Sequence, residues 1–372
     1  MAPSLPATYK AAVLTGPSSP LEIQELPMKT PERGQVLVRV RASGICHTDA
    51  FIQAGYLPNA WPLVPGHEIV GDVVAVGEGV TRFKEGDRVG GGWHGGMSFC
   101  FPLHILLVPL SIPYRQTNTT SHPPHTGHDG TCRSCQRGQF QTCDNQAING
   151  CSFDGGYAEY CILRQEATVR VPTDLDPAEV APLLCAGITV FNGIRKMHVE
   201  QGNLVAVQGL GGLGHMAVQY ARAMGYRVAA VSRGTDKRAF ALELGAHEYI
   251  DSATEDVAAR LQELGGAALA VSTAPNGKAF SPLVGGLQPG GKLVIMATMG
   301  PVEFDTTPMV LKNLSVHGWP SGNANDSEET IGFTKSHGIK CLIEKFPLSE
   351  APKAFELMKQ GKPRFRNVLV MD

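Results

Sequence analysis

The sequence predicts an α/β protein in two parts, a β-rich domain followed by a doubly wound domain built on a parallel sheet. Three observations predict it. Residues 8–92 alternate short β-type runs with turns rich in Gly, Pro and Asp. From about residue 176 the rhythm changes to strands separated by helices long enough to cross between parallel strands. The 43 glycines cluster in short groups that punctuate apolar runs, as turns do in such folds.

The elements follow in order. TYKAAVL, QVLVRVRA and IVGDVVAVG read as strands, with little helix among them. NLVAVQG then reads as a strand, GLGHMAVQYARAMG as a helix, YRVAAVS as a strand and TDKRAFALELG as a helix. EYID, the helical TEDVAARLQEL and the strands AALAVST and KLVIMA continue the pattern. The last fifty or so residues return to mixed β character and are expected to pack back on the first domain. The expected boundaries are 1–175 for the β-rich domain, 176–314 for the α/β domain and 315–372 for the return. A length of 372 residues agrees with two domains.

Composition narrows the function. A hydrophobic fraction of 43% and a charged fraction of 18% describe a soluble globular chain with material for a core. The net charge of −2 offers no basic surplus for nucleic acid or an anionic membrane. No basic segment followed by a long apolar run opens the chain, so no signal peptide is expected and the cytoplasm is the default. Nine unevenly spaced cysteines argue against a disulfide framework; close spacings in a reducing compartment point to metal.

GLGGLG at 209–214 is the strongest nucleotide signal. Gly209, Gly211, Gly212 and Gly214 follow the strand LVAVQ and open a helix, as a Rossmann turn does where a pyrophosphate meets a helix N-terminus. Where the next strand ends, an NAD site commonly carries Asp or Glu for the ribose hydroxyls. Here stand Ser232 and Arg233, with Lys237 and Arg238 close behind. Losing the carboxylate removes repulsion of a 2′-phosphate and a guanidinium can grip it, so NADP(H) is favoured over NAD(H). The bland alternative is a patch of solvated surface charge.

GICHTD (44–49) and PGHEIVGDVVAVGEGV (65–80) form the second constellation, with Cys185 in APLLCAG at the junction of the two domains. Cys46, His67 and Cys185 offer the three ligands and open position of a catalytic zinc. Singly, each has an ordinary reading as a core cysteine or a hydrogen-bonded histidine. Together with a nucleotide fold downstream, they favour metal.

The run Gly66, His67, Glu68, Gly71, Gly77 and Val80, with CHTD, LLCAGIT and GLGGLG in order, resembles the zinc-containing alcohol dehydrogenases of the medium-chain dehydrogenase/reductase superfamily, most closely the yeast-type, fungal and bacterial forms. The resemblance covers the whole chain except residues 97–127. It implies a GroES-like catalytic domain, a Rossmann domain and an active site between them. It also implies catalytic zinc on Cys46, His67 and Cys185, Glu68 able to approach it, and Asp49 orienting His67. Thr48 would pass the substrate hydroxyl proton outward, His47 and Arg366 would reach the cofactor, and Phe51 and Trp93 would border the substrate pocket. Many relatives carry His at the position of Phe51, so Thr48 here would hand its proton to the cofactor ribose or to water. The implied reaction is hydride transfer between nicotinamide and a small alcohol, aldehyde or ketone whose oxygen zinc polarises. A role in fungal secondary metabolism is compatible with the resemblance. The relatives form dimers or tetramers, so a homo-oligomer is expected. An NAD-linked primary alcohol dehydrogenase, or an impaired isoform that only binds metal and nucleotide, are the rival readings.

Cys132, Cys135 and Cys143 match the spacing of the family's structural zinc lobe (128–145), making two zinc ions per chain. The remaining ligand position holds Asp129, an acceptable though less usual donor. A lobe held by hydrogen bonds without metal is the alternative. Cys100, Cys151, Cys161 and Cys341 have no such context. Residues 97–127 interrupt the family pattern; removing these 31 residues from 372 leaves 341. Pro102, Pro109 and Pro113 break the apolar run below the roughly 20 residues a membrane helix needs. Gly96-Met97-Ser98 can be encoded with a GTATGT splice donor, Thr117-Asn118 with a branch point and Thr126-Gly127 with the terminal AG. The expectation is a retained intron, which requires a mature transcript lacking those codons.

Overall fold

Parallel pairing dominates the second half of the chain. In a computed structural model that describes residues 5–57, 61–93, 128, 130–297 and 300–372, a six-stranded sheet runs in the order β10-β9-β8-β11-β12-β13. Its strands are β8 (Leu204–Gln208), β9 (Arg227–Ser232), β10 (Glu248–Asp251), β11 (Ala267–Ser272), β12 (Leu287–Ile295) and β13 (Ser315–Gly318), each parallel to its neighbours. The order reverses beside β8, the switch point where an α/β sheet binds its ligand. β8, β9 and β11 are almost wholly buried, which is why they read as unbroken apolar runs.

The first part contains β1 (Thr8–Leu14) paired with β2 (Leu21–Pro27), and a seven-stranded sheet. That sheet joins β3 (Gln35–Gly44), β4 (Ile69–Val76), β5 (Arg88–Gly91), β6 (Tyr160–Arg164) and β7 (Thr168–Arg170) with β14 (Ile343–Pro347) and β15 (Arg366–Val370). β15 lies antiparallel to β3, with Val368 opposite Gly44, so the C-terminus returns to the first sheet. The fold class is therefore a GroES-like β domain joined to a Rossmann domain.

Two readings need correction. The α/β sheet extends past residue 314, because Ser315–Gly318 pairs with β12 as its edge strand. SVHG is too short and too polar to announce a strand. The first domain also contains a helix, His47–Gln53, that the strand-and-turn reading of 8–92 missed. Its signature was present: Cys46 caps the helix and the Asp49 side chain three residues on accepts the Cys46 N–H, a capping box with Cys in the place of Ser or Thr.

The retained-intron expectation for 97–127 and the zinc-ligand expectation for Asp129 fall outside the described residues. Among the described residues no single helix is long and apolar enough to cross a membrane.

Candidate active site

The ends of three separate elements bring the metal-type donors together. Cys46 ends the connection from β3 into helix His47–Gln53, His67 and Glu68 precede β4, and Cys185 caps helix Ala186–Arg195. Ligand atoms of Cys46, His67, Glu68 and Cys185 all lie within 4.8 Å of one another, and all four residues are buried. The Cys46 and Cys185 sulfurs are 3.7 Å apart. The hydrogen bond from Cys185 holds the Cys46 thiol well below its usual range, helped by His67 and Arg366. The same contact, with burial, pushes the Cys185 thiol up.

His67 is aimed by its far nitrogen. Nδ1 lies 3.0 Å from Asp49 Oδ1, while Nε2 is buried with no hydrogen-bond partner. Burial opposes a charge on His67, but Asp49 outweighs it and raises the imidazole well above its ordinary range. Glu68 donates nothing and accepts from Arg366 at Oε1, while Oε2 is buried without a partner. Orphaned polar atoms are costly in a protein interior. Two facing thiols, a bare imidazole nitrogen and a spare carboxylate oxygen form a donor set suited to zinc, and the residues present fit that ion.

Two of the donors, Cys46 and Cys185, line a cleft of about 1180 Å³ between the two sheets, while His67 and Glu68 are not among its lining residues. Its walls are Ile45–Thr48, Gly209–Leu213, the end of β9 and the C-terminal segment Gly361–Asn367. Gly209 has φ +92°, and a Cβ there would meet Ala274 Cβ at 2.8 Å. Gly211 has open space where its Cβ would lie, which leaves the backbone accessible to a diphosphate. Gly212 lies over Arg366, with a Cβ there 2.9 Å from Arg366 Cδ. Gly214 is not part of the cleft lining; its Cβ would strike Gly209 O at 1.8 Å, so this glycine permits the turn to close.

Other expected site residues separate into two groups. Thr48, His47, Ser232, Arg233, Lys237 and Arg366 line the cleft. Thr48 Oγ1 is 3.5 Å from Cys46 Sγ, and Lys237 Nζ donates to Leu210 O at 3.0 Å. Arg366, expected to reach the cofactor, gives one guanidinium nitrogen to Glu68. Phe51 and Trp93 are not among the described residues that line the cleft, although Trp93 packs against the donor His67. Phe51 meets the rings of His47 and Tyr56, while Trp93 stands edge-on to His67 with centroids 4.8 Å apart and packs with Ile52, Leu63 and Cys151. Which aromatic side chains face a cleft depends on tertiary packing, which their spacing in the chain does not encode. Lys362 and Arg364 line the cleft and were not anticipated; the basic run GKPRFR was the available signal.

In the lobe, Cys132, Cys135 and Cys143 also place their sulfurs within 4.8 Å of one another. Backbone N–H groups of Asp144 and Cys135 hold the Cys132 thiol below its usual range.

A nucleotide-type cleft lined by two cysteines of a buried cysteine-histidine donor set defines a zinc- and nucleotide-linked oxidoreductase. Comparison with known proteins narrows the class. Residues 212–336 match the zinc-binding dehydrogenase model, and residues 32–104 match the alcohol dehydrogenase GroES-like domain. The chain is 49% identical over 371 residues to alcohol dehydrogenase patD of Penicillium expansum, covering 100% of both chains. It is 46% identical over 369 residues to alcohol dehydrogenase notN of Aspergillus sp. (strain MF297-2), covering 99% of this chain and 100% of that one. Among solved structures it resembles acetophenone reductase from Geotrichum candidum in complex with NAD, with TM-score 0.80, 26% identity and coverage of 99% and 98%. The chain belongs to the zinc-type alcohol dehydrogenase family and is an oxidoreductase of that family.

Proposed function

We propose that Cys46, His67 and Cys185 hold a catalytic zinc, with Glu68 beside it, and that the enzyme interconverts a small alcohol and its carbonyl product with NADP(H). The observation that carries this reading is the buried donor set, with orphaned atoms on His67 and Glu68, whose two cysteines line the glycine-walled cleft. Zinc bound there supplies Lewis acidity at the substrate oxygen, and a nicotinamide cofactor supplies or accepts the hydride. Asp49 keeps His67 in the tautomer whose Nε2 faces the donor set. Thr48, buried beside Cys46, takes the substrate hydroxyl proton at Oγ1 and passes it outward along the cleft. His47 and Arg366 contact the cofactor diphosphate. Cys132, Cys135 and Cys143 hold a second, structural zinc.

The preference for NADP(H) rests on the end of β9. Ser232 occupies the position of the usual carboxylate, and Arg233 and Lys237 line the cleft around it. The neighbouring carboxylate, Asp251, is already occupied: it accepts from Gly234 N at 2.7 Å, Ala253 N at 2.9 Å and Thr254 Oγ1 at 3.1 Å. One observation favours NAD(H) instead, since Glu255 also lines the cleft, though Arg260 pairs with it at 3.1 Å. Comparing kcat/KM for the two cofactors over a series of alcohols and aldehydes tests the reading. Higher values with NADP(H) are expected; higher values with NAD(H) refute the preference, and binding without turnover refutes the activity.

Oligomerisation is supported by Val310 and Leu311, each 80% exposed just before the edge strand β13. We place the enzyme in the cytoplasm on its cysteine usage.

A further inference from the structure

We propose that Tyr157 is a positioning residue for the zinc site, acting through Asp49 on His67. This rests on the zinc reading of Cys46, His67 and Cys185. Tyr157 is completely buried and its hydroxyl donates to Asp49 Oδ2 at 2.7 Å. The same oxygen accepts the Cys46 N–H at 2.9 Å, while Oδ1 faces His67 Nδ1 at 3.0 Å. One buried carboxylate is thus held by three donors, two of which belong to metal-ligand residues. The phenol is the third, and it comes from a distant part of the chain.

The phenol itself is rigidly placed. Tyr157 N–H donates to Pro65 O at 3.0 Å, Gly156 N–H to Gly66 O at 2.9 Å and Gly155 N–H to Val64 O at 2.7 Å. These bonds stitch GGY to the PGH turn that delivers His67. The ring lies against Gly66, where φ is +103° and a Cβ would come within 2.4 Å of Tyr157 Cδ1. Any side chain at 66 would displace the ring, so the glycine before His67 and the tyrosine at 157 form one fitted unit. Burial pushes the phenol well above its ordinary range, so it remains a donor throughout the working pH of the enzyme.

A buried carboxylate that loses one donor has fewer constraints on its orientation and more charge to place on those that remain. Without the phenol, Asp49 can pivot about the Cys46 N–H and the His67 contact, and the imidazole loses its fixed aim. Groups that orient a metal-bound histidine typically affect metal affinity by about 10- to 100-fold. Tyr157 stands one bond further out, which places its effect near the lower end, about 10-fold.

The test uses zinc-loaded full-length enzyme challenged with excess EDTA. Released zinc and residual turnover are followed together, so that the pool lost in step with turnover is the one scored. Tyr157→Phe keeps the ring on Gly66 and removes only the hydroxyl. Release about 10-fold faster than in the wild type is expected, with nucleotide affinity unchanged. A lower melting temperature with unaltered zinc release makes Tyr157 merely structural and overturns the proposal. Should the Phe variant not fold, 3-fluorotyrosine at 157 keeps the ring and strengthens the donor; slower release is expected, and unaltered release overturns the proposal. A wild-type chain with no zinc tied to turnover would instead remove the zinc reading on which the proposal stands.

Discussion

Arg233 is exposed at the mouth of the cleft and makes no hydrogen bond or ion pair with the described residues, so its guanidinium is available to an incoming ligand. Lys237 is different, being tied to the Leu210 carbonyl in the glycine turn. On the proposed NADP(H) reading, Arg233 rather than Lys237 would discriminate between the cofactors, since Lys237 is held by the turn. Charge-assisted hydrogen bonds contribute about 1.5–3 kcal/mol each. Arg233→Ala should lower kcat/KM for NADP(H) by about 10- to 100-fold and leave NAD(H) nearly unchanged. Steady-state kinetics with both cofactors checks this, and an equal fall for both would assign Arg233 a general electrostatic role.

At the scale of elements, the C-terminal segment is joined to the glycine-turn helix by a ring stack. His215, in helix Gly214–Ala223, stacks on Phe365 with centroids 4.9 Å apart, and Phe365 stacks on Phe240 at 5.2 Å. His215 Nδ1 contacts Gly211 O at 2.9 Å and Nε2 accepts the Leu342 N–H at 3.2 Å, an arrangement only the neutral ring can satisfy. Burial drives its pKa down to about 4 from the ordinary 6.5. Between these values the unfolded chain binds a proton that the folded chain refuses. The stability is therefore fully present above about pH 6.5 and is lost as pH falls toward 4, amounting to about 3 kcal/mol. Urea midpoints measured across this range should fall more steeply for the wild type than for His215→Asn; identical slopes would show that His215 is not responsible.

Elements also differ in how legible they were. The Rossmann turn could be read because each glycine answers a local demand: Gly209 a left-handed backbone, Gly214 a contact with the Gly209 carbonyl. Cys46, His67 and Cys185 could be picked out as donors because few other residue types bind zinc. What brings them together is strand pairing far along the chain, such as β15 beside β3, and no local pattern encodes that. The same reason hid Tyr157, whose role depends on lying opposite Asp49 in space. The directions of the Phe51 and Trp93 rings are likewise decided by packing, whereas helix His47–Gln53 carried a local signal, the capping box of Cys46 and Asp49.

Among the described residues of the whole molecule, the cleft lies between the two sheets: Cys46, His67 and Glu68 come from beside β3 and β4, Cys185 caps helix Ala186–Arg195, and the nucleotide turn follows β8. Val310 and Leu311 stand outside this arrangement, and a pair of apolar side chains each 80% exposed favours burial against another copy. Sedimentation of the native enzyme should give a mass above that of the 39.7 kDa chain. The double variant Val310→Glu, Leu311→Glu should shift toward the single-chain mass while keeping its fold. A wild type that already sediments as one chain would contradict this.

The central claim is that His67, with Cys46 and Cys185, holds the zinc on which turnover depends. It is tested most directly by counting zinc per chain in the wild type and in His67→Ala, alongside turnover. The account predicts two zinc ions in the wild type, one in the variant and turnover only in the wild type. A variant that retains the full wild-type zinc content together with its activity would contradict it.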